Sequence, residues 1–426
     1  MAGPAIRAYQ LARVLADDAQ VTIAGPAGST PPDDDRLLHV SYQPHSPRAL
    51  RAPIAAADAI VAQPQWPLVT SWMRRSGARL IFDLFVPEAL EALQRYPRRG
   101  SWRARLLMAY MGDRLADALR SGHHFVCAGE RQRALWIGAM LADGLLTPEL
   151  SERDPSLRSV IDLAPFGTPP ERAVATGAGG ARARFPAIGA DDEIVLWNSA
   201  VWPWFDAATA IRAITQLRER RPRVRLVFMG QASAGPSAQA ADAARSLAGE
   251  LGVLDTHVFF NDRWVPYAAR VDWLLEASCA VSTHFDHLET EFAFRSRYLD
   301  CFWARLPIVC TGGDELADVI ARDDLGEVVP EQDPGALADA LESVLARGRA
   351  AYEPALAAAA ERYAWSASAA PLARFIQSPL PPRLGEHAPA RGAGHLTRSA
   401  LYRAGRAGLA AIGATRASRA LSAPEG

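Results

Sequence analysis

The chain of 426 residues contains no lysine; every one of its 46 Lys/Arg positions is arginine. Without lysine there is no P-loop lysine, no pyridoxal Schiff base and no lysine nucleophile. Phosphate recognition by a permanently charged side chain must use arginine, which grips two oxygens at once rather than acting as a point charge. Cysteine is scarce. Cys127, Cys279, Cys301 and Cys310 lie in apolar surroundings without metal-ligand spacing, which reads as buried, reduced thiols of a cytoplasmic protein. No apolar run reaches the roughly 20 residues of a membrane span, and no charged-then-apolar opening suggests export. No G-x-G-x-x-G follows a strand, which argues against a dinucleotide oxidoreductase. A formal net charge of −1 argues against a dedicated nucleic-acid binder.

The sequence present alternates as α/β sheets do. Its length fits two to three domains. The opening residues predict a helix with apolar Ile6, Leu11, Val14 and Leu15 on one face, followed by a strand over 21–25. Strands are predicted over 37–42, 59–62, 80–83 and 124–127, with helices over 66–76, 87–94 and 102–119 between them. Residues 168–190 are rich in Gly, Ala, Pro and Arg without apolar period, which marks a linker between a first domain (1–168) and a second (191–364). The second domain alternates again, from a strand over 193–197. A last helix within 365–380 is expected to cross back to the first domain. Residues 381–426 are basic and rich in Ala and Gly; they read as a disordered tail, or as an Arg-rich amphipathic helix making weak peripheral contact with the inner face of a membrane.

One stretch carries the chemistry, Ser282 to Thr311. It reads as strand, polar loop (His284, Asp286, His287, Glu289, Thr290, Glu291), one helix and a strand after Pro307. A helix start that follows a strand favours anions, because its free N–H groups and its dipole face the loop. Arg295 and Arg297 are expected in the first turns of that helix, with Asp300 close behind. This is charge for a diphosphate and a carboxylate for a ribose diol.

The segment Asp300-Cys-Phe-Trp-Ala-Arg-Leu-Pro307-Ile-Val-Cys-Thr311 resembles the E-A-x-A-x-G-L-P-V-V-A-T segment of retaining glycosyltransferases with the GT-B fold, family 4 (group 1). Three further segments are similar to that family: Gly3-Pro4 leading into the first helix, Cys127 to Arg133, and Val160 to Gly167. The resemblance implies two Rossmann-like domains facing a cleft. It implies sugar transfer from a nucleotide-diphosphate sugar to an acceptor, with retention, without metal or cofactor, in bacterial glycan or glycoconjugate biosynthesis. In the family a strand precedes the first helix; here the chain opens at the loop, so either the start is misassigned or the first domain lacks its central strand. The ribose role falls on Asp300 and the sugar contact on Glu289. The family's basic pair after the first strand of the second domain is absent from Asn198 to Asp206, so Arg295 and Arg297 would hold the diphosphate, with Asn198, Trp204 and Thr290 beside them. Gly3, Asp83 and Glu130 are the acceptor-side candidates, Glu130 equally readable as a helix cap.

Each of these residues has a plainer reading. The 282–311 stretch could be an ordinary βαβ unit with a charged face, and the two arginines a solvent-facing pair. Residues two apart cannot share one helix face, so one of them could be structural. Trp202 and Trp204 suit a pocket wall or the core. Asp33-Asp34-Asp35 has the D-x-D form used by metal-dependent transferases, but its Ser/Thr/Pro loop favours a solvated turn. His284, Asp286 and His287 match no metal spacing and read as sugar-contacting or loop-ordering groups. A non-catalytic sugar-nucleotide binder and a sugar-nucleotide epimerase are the alternatives to transfer.

Overall fold

The computed structural model describes residues 3–95, 101–230 and 236–386. The strands are β1 (Val21–Pro26), β2 (Leu37–Tyr42), β3 (Ala59–Ala62), β4 (Arg79–Asp83), β5 (His124–Cys127) and β6 (Ile161–Leu163) in the first domain. β7 (Glu193–Trp197), β8 (Val224–Phe228), β9 (Val258–Phe260), β10 (Cys279–Ser282), β11 (Ile308–Thr311) and β12 (Gly326–Val329) belong to the second. Every ladder between them is parallel. The second domain is one six-stranded sheet in the order β12-β11-β10-β7-β8-β9. Its inner strands are largely apolar, and β10 and β11 are small or β-branched and buried along their length, as a sheet covered by helices on both faces requires.

The first domain differs. Its strands form a β1-β2 pair and a separate sheet, β3-β4-β5-β6, so no single sheet runs through it. β1 alternates between half-buried and exposed positions instead of being covered throughout. The helix Gly3–Leu15 is the first described element, and its Arg7 is fully buried. The Arg7 guanidinium donates to both oxygens of Asp83 at the end of β4 (2.6 and 2.9 Å) and to the carbonyl of Pro165 (2.9 Å). It also lies over the Phe85 ring. This bidentate ion pair ties the first helix to the sheet.

The stretch 168–190 is fastened to the second domain. Asp272 accepts from the N–H groups of Thr176 (2.6 Å) and Gly179 (2.9 Å). Glu276 accepts from Arg182 N–H (2.9 Å) in the short helix Ala181–Arg184. The helix Trp365–Gln377 returns to the first domain, where Leu372 and Phe375 pack on Ile81 and Leu15. Thr168, at the exit from the first domain, exchanges backbone hydrogen bonds with Tyr363 and Trp365. The tail proposal falls almost wholly on residues 387–426, which lie outside the described residues. Among the described residues, no helix is long and apolar enough to cross a membrane.

Candidate functional site

In the second sheet the chain runs from β7 outward to β8 and β9, then returns to β10 on the other side of β7. The strand order reverses between β7 and β10, and ligands of doubly wound sheets bind at the carboxyl ends of strands at such a point. The loop after β7 (198–206) and the loop after β10 (283–287) meet there. Asp206 N–H donates to Thr283 O (2.9 Å) and Thr283 Oγ1 to Asp206 O (2.6 Å). Asp206 also caps the helix Ala207–Leu217, accepting from Thr209 N–H at 3.1 Å. The carboxyl ends of both sheets face one cleft, because the residues after β5 touch those after β11.

The expected single helix after β10 is two. Leu288–Phe292 and Arg297–Ala304 are separated by 293–296. Arg295 therefore lies in the break, and Arg297 opens the second helix. This kink separates the fates of the two arginines. Arg295 is buried and donates to both Glu289 oxygens (3.0 and 2.9 Å) and to Thr290 Oγ1 (3.2 Å). Its Nε stands 3.9 Å from Asp314. Arg297 is half-buried; its guanidinium donates to Ser199 Oγ (2.9 Å) and lies over the Phe205 ring at 3.8 Å. No carboxylate lies within ion-pair distance of Arg297 among the described residues. Loss of hydration, with neighbouring Arg295 adding to it, pulls its pKa down to about 10. It is a cation held ready for an anion.

Residues 193–347 match the family model for group 1 glycosyl transferases. That match lies within the second domain, and over the whole chain the likeness is one of fold, GT-B. The fold is also that of solved glycosyltransferases. Anabaena HepE in complex with UDP-glucose is 13% identical with a TM-score of 0.62, over 89% of this chain and 97% of that one. WaaG, a glycosyltransferase involved in lipopolysaccharide biosynthesis, is 16% identical with a TM-score of 0.59 over 89% and 97%. An α,α-trehalose-phosphate synthase (UDP-forming) from Burkholderia vietnamiensis is 14% identical, TM-score 0.61, over 87% and 97%. No curated protein sequence matches the chain.

Several residues picked from the sequence have other work in the structure. Arg295 and Glu289 neutralise each other, so Arg295 is not a free phosphate ligand and Glu289 is a buried, oriented carboxylate. Asn198 is buried and donates to Arg297 O (2.9 Å), holding the helix start rather than facing the cleft. Thr290 is fully buried and donates to Phe285 O (2.8 Å). Trp204 is 7% exposed, stacked face to face on Trp202 at 5.1 Å, so the half-buried Trp202 is the outer ring of the pair. Asp300 is a quarter exposed and accepts from Arg270 (3.0 Å), itself lying 3.5 Å over the Tyr267 ring. On the first domain, Asp83 is committed to Arg7. Glu130 does not cap its helix: its carboxylate pairs with Arg158 and its backbone N–H donates across the cleft. Gly3 opens the first helix with free space around its Cα.

Sequence reading missed the support beneath these groups. His284 is fully buried between Thr311 Oγ1 (3.0 Å from Nδ1) and Asp314 Oδ2 (3.3 Å from Nε2), with Tyr298 OH also at 3.3 Å. These contacts tie the loop after β10 to the end of β11. Asp314 caps the helix Glu315–Arg322 through Leu316 and Ala317 N–H. The polar sequence His284-Phe-Asp-His was the only sign, because burial of its first histidine depends on β11. Among the described residues, no group of three His, Cys, Asp or Glu side chains could hold a metal ion.

Burial also lowers the pKa of His123, to about 4, and those of His124 and His284. All three titrate near 6.5 in an unfolded chain. Below that pH the unfolded state takes up protons that the folded state refuses, so stability is lost as pH falls. Melting temperature is expected to stay level from pH 8 to about 7 and to fall steadily from about 6.5 toward 4. A flat profile from pH 7 to 5 would contradict the neutral, buried histidines.

Proposed function

We propose that the protein transfers a sugar from a nucleotide-diphosphate sugar to an acceptor held by the first domain, with retention and without a divalent metal. The observation that carries this reading is Arg297: a guanidinium without a carboxylate partner among the described residues, at the strand-order reversal, on the first residue of an eight-residue helix. As the bond to the sugar breaks, negative charge grows on the departing diphosphate. Arg297, the Ser199 hydroxyl and the helix N–H groups neutralise it in a site already shaped for it. Asp300 accepts from the ribose hydroxyls. Glu289, fixed by two hydrogen bonds from Arg295, holds a hydroxyl of the transferred sugar as positive character develops at its anomeric carbon. The complex of Anabaena HepE with UDP-glucose supports a uridine nucleotide as the first donor to try. Four buried, unpaired cysteines support a cytoplasmic site of action.

Isothermal titration with UDP tests the reading. UDP is expected to bind equally with and without EDTA. Asp300→Asn is expected to weaken binding about ten- to hundred-fold, the scale of a hydrogen bond to a charged group. Failure of the wild-type chain to bind any nucleoside diphosphate would sink the proposal.

A further inference from the structure

The first turn of the helix Glu130–Ala142 belongs to the first domain, yet it holds two segments of the second. The N–H groups of Glu130 and Arg131 donate to the two oxygens of Glu315 (3.0 and 3.1 Å). The Arg131 guanidinium reaches the carbonyl of Gly313 and the carboxylate of Asp318. Gln132 is buried, with Oε1 accepting from Ala128 N–H (3.0 Å) and Nε2 donating to Phe85 O (3.0 Å) and Phe292 O (2.9 Å). Gly313 adjoins Asp314, which backs His284 and Arg295; Phe292 ends the helix that carries Glu289 and Thr290. Both walls of the donor site are thus fastened to the acceptor-side domain within three consecutive residues.

We propose that this turn is a clasp, and that Glu315 is a positioning residue whose carboxylate, seated on the two N–H groups, holds the cleft closed and the Gly312–Asp314 loop in its working place. The proposal rests on the transfer reading for its consequence in turnover, but not for the closure itself. Its chemistry is that of a carboxylate completing a helix start that would otherwise leave N–H donors unpaired. It acts across a domain boundary, so it can form only when the cleft closes.

Gly129 gives the proposal a sharp handle. Its backbone is extended (φ −157°), which any residue adopts. A Cβ there would come within 2.2 Å of Glu315 Oε2 and 2.7 Å of Oε1. Glycine is required by the approach of Glu315 and not by the first domain's own conformation. Gly129→Ala and Glu315→Ala therefore attack one contact from opposite domains.

The test is small-angle scattering on the full chain, with turnover measured beside it. Each single variant is expected to show a larger radius of gyration than wild type. Glu315→Gln, which keeps one acceptor oxygen, falls between. With Glu315 already alanine, Gly129→Ala adds nothing, since the clash is gone. Turnover follows closure, falling up to about a hundredfold, as expected when reacting groups are displaced by about 1 Å, while the affinity for UDP changes little. Unchanged scattering in both single variants overturns the clasp, as does an equal further effect of Gly129→Ala on the Glu315→Ala chain. Loss of UDP affinity equal to the loss of turnover also overturns it, because Glu315 would then be shaping the nucleotide pocket directly. If the wild-type chain transfers no sugar, the scattering result still decides the clasp.

Discussion

Arg297→Met is expected to cut turnover by about 10²- to 10³-fold while the melting temperature stays level or rises slightly. That rate is the usual loss when one preorganised donor is taken from a developing anion. The unchanged stability follows from what surrounds the guanidinium in the folded chain. Among the described residues Arg297 holds the Ser199 hydroxyl and the Phe205 face, with the Tyr298 ring 6.0 Å away, and part of its hydration is gone without a carboxylate in return. Methionine keeps the stem packed on Phe205 and removes the cost of holding that charge. Loss of activity without loss of stability is the signature of a residue kept for a ligand. Near-normal turnover in Arg297→Met would show that the leaving group is neutralised elsewhere.

Glu289→Ala and Arg295→Ala are expected to do the opposite: each destabilises the second domain by about 3–5 kcal/mol, because each leaves the other as a buried, uncompensated charge. The side chains of both are at most 5% exposed and joined by two hydrogen bonds. In Glu289→Ala the guanidinium keeps only Thr290 and the more distant Asp314. In Arg295→Ala, Glu289 and Asp314 lose the cation between them. The double replacement Glu289→Leu with Arg295→Met is expected to recover most of the stability, since apolar groups of similar volume replace the pair outright. It is not expected to recover turnover, because in the proposed reaction Glu289 is the acceptor for the sugar hydroxyl. Urea denaturation followed by second-domain tryptophan fluorescence measures the first part, and nucleotide release the second. Single variants as stable as wild type would mean that the pair is not buried as described.

These two predictions separate what one sequence motif had joined. Arg295 and Arg297 stand two residues apart and looked alike in the sequence, both read as phosphate ligands on one helix. The break at 293–296 turns one inward to Glu289 and leaves the other at the helix start. Asp83 shows the same limit. Its place at the carboxyl end of β4 was readable, but the arginine that occupies it comes from the first helix, 76 residues earlier. Glu315 had no distinguishing mark, since its partners are backbone N–H groups of another domain.

Strand and helix placement came from local pattern, and β2, β3, β5 and β7 fall on the residues that alternation and composition indicated. Parallel strands buried on both faces must be apolar whatever they pack against, so periodicity alone locates them. The absence of lysine likewise left arginine as the permanently charged side chain for phosphate recognition before a fold was known. Which arginine meets the phosphate is a different kind of fact. It depends on which guanidiniums find a carboxylate, and carboxylates arrive from segments far apart in the chain. Charge pairing at short range is set by three-dimensional proximity, and a one-dimensional pattern carries no measure of it.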